Sequence, residues 1–99
     1  MPASAKSSAT SALVDFVHAR LDDEDSDIAR SPDSDERQRR AVDVRARREV
    51  VASVQELLGL RDQPNEKAVR DLAISILRSL ATPFADHPAF REEWHAATR

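Results

Sequence analysis

The chain has 99 residues, 40% of them hydrophobic and 33% charged, with a formal net charge of −3, a single glycine and no cysteine. That length allows one domain, which buries somewhat over about 60% of the surface its unfolded form exposes, and the acidic balance gives no global drive toward nucleic acid. The lack of cysteine excludes disulfides, thiolate metal sites and cysteine nucleophiles and fits a reducing cytoplasm, while no run of about 18 apolar residues is present to span a membrane.

The opening "MPASAKSSAT" has one Lys and no apolar stretch. It reads as a disordered tail over residues 1–9 rather than as a signal peptide. Helical periodicity then takes over. In the stretch predicted helical over 11–30, Leu13, Val14, Val17, Leu21 and Ile28 recur near one face. Thr10 or Ser11 can cap its start, and Pro32 ends it, because proline disfavours helical geometry at the residue before it.

A second helix is expected over 34–58, capped by Asp33 with Glu36 or by Ser34. Its apolar face is drawn from Val50, Val51, Val54, Leu57 and Leu58, and Gly59 stands where a left-handed C-terminal residue is wanted. A third helix follows over 64–81, with Pro64 in its first turn and a stripe of Val69, Leu72, Ala73, Ile76, Leu77 and Leu80. Thr82-Pro83 closes it. Both connections are short, which favours antiparallel neighbours.

The last stretch, "ATPFADHPAFREEWH", gathers Phe84, Phe90 and Trp94, the only Trp, in a chain whose one other aromatic of this kind is Phe16. A short terminal helix over 87–96, capped by Asp86 or His87, puts Phe90 and Trp94 at i and i+4, one above the other. With Phe84 they form an aromatic plug in a core otherwise made of small aliphatics. Left partly exposed, the same three side chains are a candidate anchor for a partner protein, since Trp and Phe are enriched where interfaces bind most strongly.

"LVDFVHARLDDEDSDIAR" and "LRSLATPFADHPAFREEW", joined by "DVRARREVVASVQELL", resemble the opening, closing and central parts of a small actinobacterial and actinophage family of uncharacterised function. Its members open with something like VDFLRARLDEDE and close with something like YADHPDYREEW. Many carry a longer Trp- and His-containing segment after the first helix, replaced here by "SPDSDERQRR". The resemblance implies a host or phage context and a helical core, not a reaction.

The motifs that could carry chemistry are few. "DDEDSD" (residues 22–27) is no EF-hand loop: counted from Asp23, Ile28 and Ser34 stand where Gly and Glu are needed. Glu92 and His95 have the spacing of a di-iron motif, but one copy makes no such site. Nothing converges on His87 that would make it an acid or base, so no catalytic, cofactor or metal residues are expected.

Arg37, Arg39, Arg40, Arg45, Arg47 and Arg48 are the strongest cluster. At about 100° per residue all but Arg39 fall within roughly 160° of arc, opposite Val50, Val54 and Leu57. As a basic stripe they suit phosphate. Against that, residues 33–49 hold five acids beside the six arginines, in i,i+4 pairs such as Glu36–Arg40 and Asp43–Arg47. The acids of residues 21–30 could also face the stripe, within the monomer or across a dimer.

The sequence therefore predicts an all-α, single-domain protein over residues 10–99. It is expected to be a three- to four-helix bundle with a short C-terminal helix and a disordered N-terminal tail. The expected role is a non-enzymatic, cytoplasmic accessory or regulatory protein that binds another protein or itself, without cofactor. The alternative is nucleic-acid binding through the arginine stripe.

Overall fold

The computed structural model describes residues 5–60 and 62–95, and of residues 5–9 the backbone alone. Three α-helices, α1 (Ala5–Ala29), α2 (Ser34–Gly59) and α3 (Glu66–Ala81), are followed by two 3-10 turns, Thr82–Phe84 and Glu92–Trp94. No strand occurs among the described residues. Of the tail expected over residues 1–9, the first four lie outside the described residues and the rest belong to the start of α1. Thr10 and Ser11 sit inside that helix and are not its cap.

At the start of α2, Asp33 is the N-cap: its carboxylate accepts from the backbone N–H of Asp35 and Glu36 at 2.9 and 3.2 Å. This meets two of the donors that a helix start leaves unpaired. The α2–α3 turn differs from expectation. Gly59 does not take a positive φ; Asp62 does, at 62°. The Glu66 carboxylate accepts from the Asp62 N–H at 2.9 Å, anchoring that left-handed turn to the first residue of α3. Asp is among the few residues besides Gly that tolerate this region. Pro64 accordingly lies in the turn, and α3 starts at Glu66.

Side-chain pairs show α1 and α2 to be antiparallel: His18 meets Gln55, Arg47 meets Glu24 and Arg40 meets Asp27. Between the helices lies one core of Leu13, Val14, Phe16, Val17, Leu21 and Ile28 from α1, Val44, Val51 and Val54 from α2, and Ala73, Leu77 and Ala81 from α3. Trp94 completes it. All five α1 positions read from the sequence are buried, and Phe16 joins them. On α2, Val44 is buried in place of Val50, which is 40% exposed; on α3, Leu72 is 59% exposed.

The terminal segment is not the α-helix expected over 87–96. Arg91 and His95, on either side of the second 3-10 turn, are extended, and the segment runs back along α1. His87 sits beside Arg20, while Phe90 and Trp94 sit on Phe16. So short a stretch cannot overcome the cost of helix nucleation by itself; a run of turns, closed by hydrogen bonds such as His87 N–H to Phe84 and Phe90 N–H to His87, lays its rings on Phe16 instead. Phe16 stands at the centre, with ring centroids of Phe84, Phe90 and Trp94 at 6.5, 5.7 and 5.0 Å. The Phe90 and Trp94 rings meet edge to face at 5.6 Å.

Truncating a buried Phe or Trp costs about 3–5 kcal/mol. Phe16→Ala and Trp94→Ala are each expected to lose that much in chemical denaturation. The double variant is expected to lose less than the sum, because the two rings touch. Strict additivity would contradict the contact.

Candidate functional site

Two features stand out chemically, the charged contact between α1 and α2 and the outer face of α2. The first uses most of the arginine cluster. Arg48 donates to Asp22 and Asp25 at 2.8 and 2.7 Å, Arg47 to Glu24 at 2.7 Å, and Arg40 to Asp27 at 2.9 Å. Within α2, Arg47 also pairs with Asp43 at 2.6 Å and Arg40 with Glu36 at 3.8 Å. Arg37 donates to the Ser31 carbonyl at 2.6 Å, tying α2 to the turn before it. Arg39 and Arg45 are exposed and carry no ion pair among the described residues.

The arginines thus do not lie opposite the buried face. Arg40, Arg47 and Arg48 flank Val44 and Val51 on the side turned to α1. Two apolar faces compete on α2, and the one bordered by arginines is turned inward because α1 brings acids to meet it. The arginines also offset a cost on α1, where carboxylates near a helix C-terminus oppose the macrodipole. The guanidinium of Arg40, hydrogen-bonded to Asp27, holds that carboxyl below its usual range, and the Asp27 carboxylate raises Arg40 in return. Hydrogen bonds to Asp25 and Asp22 likewise raise Arg48.

The candidate anchor residues are placed differently. Trp94 is 4% exposed, and Phe84 and Phe90 are half-buried against the core. All three are spent on Phe16. An open cleft of about 380 Å³ runs between α1 and the strap formed by residues 82–95, with Ala12, Asp15, Phe16, Arg20, Arg91 and Trp94 among its lining. The His87 Nδ1 accepts from Arg20 and from the Ala89 N–H, both at 3.0 Å, tying two of the lining residues together. Among the described residues no group of three or more His, Asp or Glu is placed to hold a metal ion, and no helix is long and apolar enough to cross a membrane.

Sequence reasoning missed Phe16 and the outer face of α2. Phe16 lies within the same "LVDFV" run as the positions that were found, and its signal was the lack of any other large partner for three late aromatics. On α2, Val42, Ala46, Val50, Ser53 and Leu57 recur at steps of four, four, three and four, a helical stripe of its own. Val42 is 53% exposed and Val50 40%, with Leu60 at 42% just beyond the helix.

A family model described as a family of unknown function (DUF6221) matches residues 34–96, more than half of the chain. The chain belongs to this family. No curated protein and no solved structure matches it. The DUF6221 match takes in α2 with its arginines, α3 and the aromatic strap. It leaves out α1, and with it the acids that pair with the arginines and Phe16 beneath the strap.

Since Arg40 lowers the Asp27 pKa on folding, the pair contributes stability that is full above the unfolded carboxylate value of about 4 and fades as pH falls through the lower folded value. Asp27→Asn is therefore expected to denature more easily than the parent at about pH 7. That gap should close as the parent loses stability in acid. Equal midpoints for the two proteins at neutral pH would contradict the pairing.

Proposed function

We propose that this DUF6221 protein is a non-catalytic protein-binding module that uses the outer face of α2, together with other exposed apolar residues such as Leu72 of α3. The observation that carries this reading is the set of large apolar side chains left outside: Val42, Val50, Leu60 and Leu72. Single exposed apolar residues are ordinary. Here Val42 and Val50 share one side of a long helix with Ala46 and the half-buried Leu57, a row at helical spacing rather than scattered residues.

The charged groups support the same choice. Nucleic-acid binding through the arginine stripe needs free cations, but Arg40, Arg47 and Arg48 are engaged by carboxylates of α1. Of the other three, Arg37 is held by the Ser31 carbonyl, Arg39 and Arg45 carry no ion pair among the described residues, and no aromatic residue accompanies them on α2 to stack on a base. In the strap, the His87 Nδ1 is likewise engaged, accepting from two donors. An accessory or regulatory role in an actinobacterial or phage setting is the context that the family resemblance suggests.

Affinity capture from a host lysate, with and without nuclease, tests this. The parent should retain a protein that Val50→Glu or Leu72→Glu loses while circular dichroism shows the helices intact. Retention of nucleic acid instead, lost on nuclease treatment and in Arg39→Ala/Arg45→Ala, would overturn the reading.

A further inference from the structure

The outer face of α2 carries charge as well as apolar surface, and four of its charged residues have no ion pair among the described residues. At about 100° per residue, Val42, Ala46, Val50, Ser53 and Leu57 fall within about 80° of arc. Arg39 lies at the N-terminal end of that stripe, and Arg45, Glu49 and Glu56 line one flank. All four are exposed. Arg39 and Arg45 stand in the N-terminal half of the face and Glu49 and Glu56 in the C-terminal half; Asp35 also lies at the start of the stripe, and Asp43, on its other flank, is already paired with Arg47. A copy turned end for end brings those two bases to those two acids, whereas a parallel copy sets Arg39 beside its own counterpart.

We infer that the partner seated on this face is a second copy of the chain, its α2 packed antiparallel across a two-fold axis near residue 48. This deepens the protein-binding reading above and rests on it. The register follows from the stripe. With the axis there, Ala46 faces Val50 of the second copy, Val42 faces Ser53, and Arg39 reaches Leu57 and the Glu56 beside it. Arg45 lies within two residues of the level of Glu49. Small residues stand opposite larger ones in both inner layers, which lets the helices approach closely, and each unpaired base gains an acid. A two-fold contact of this kind is self-complementary by construction and closes at two copies. The apolar repeat from Val42 to Leu57 spans about 22 Å, long enough for several layers of side chains to interlock.

Sedimentation equilibrium of the full chain over a range of micromolar concentrations is the test. The parent is expected at twice its 11.0 kDa chain mass, and Val50→Glu at the single mass with its helix content unchanged. Orientation is read by cross-linking, which the cysteine-free chain makes clean. Under mild oxidation, a mixture of the Val42→Cys and Ser53→Cys variants should form a mixed disulfide dimer, whereas Val42→Cys by itself should not pair. A parent that stays monomeric throughout overturns the proposal, and so does efficient pairing of Val42→Cys with itself. In either case the broader reading stands if Val50→Glu still abolishes capture of a different protein, and falls with the proposal if it does not.

Discussion

The contact between the acidic second half of α1 and the arginines of α2 decides how the rest of the chain is arranged. Between Leu21 and Ile28 the first helix offers no buried apolar residue, and α2 offers only Val44 at that end. The apolar effect there is weak. Asp22, Glu24, Asp25 and Asp27 meet Arg40, Arg47 and Arg48 across the gap. Exposed ion pairs contribute little individually. Their consequence here is selection: they settle which of two apolar faces of α2 turns inward, in the way that charge complementarity fixes register at interfaces. Once Val44 and Val51 face α1, Val42 and Val50 face away.

The other half of α1 is held by packing instead. Phe16 receives three aromatic rings from a segment about seventy residues later, and the Arg20 guanidinium stacks on the same ring at 4.9 Å. One helix therefore presents charge at its C-terminal half and an aromatic platform at its N-terminal half. This explains why the late aromatics cluster. A core of Val, Leu and Ala leaves few places for a large side chain to be fully covered, and Phe16 provides the one platform on which all three can meet. The family match begins after α1, yet the described fold depends on that helix at both ends.

Much of this was legible in the sequence. The α1 core positions, the spans of α2 and α3 to within a few residues, the Asp33 cap and the stop before Pro32 all follow from local rules that tertiary contacts did not override. Three features were not legible. The terminal segment has helical spacing at Phe90 and Trp94, yet those rings reach the same ring-on-ring contact from a 3-10 turn, so spacing by itself could not tell the two apart. Gly59 looked like the left-handed residue, but Glu66 reaches back to Asp62 and places the turn there. On α2 two apolar stripes overlap, and only the acids of another helix choose between them. The candidate site suffered from the same ambiguity: the arginines were found as a group, but whether they faced solvent or α1 depended on that choice.

The account rests most directly on the coupling between Glu24 and Arg47. A double-mutant cycle in urea, with Glu24→Gln, Arg47→Gln and the pair, measures it. The two substitutions are expected to be non-additive by about 0.5–1 kcal/mol in low salt, with the coupling shrinking as salt is raised. Additive losses at every salt concentration would mean that the arginines of α2 are not held by α1. The face they leave free would then have to be assigned anew.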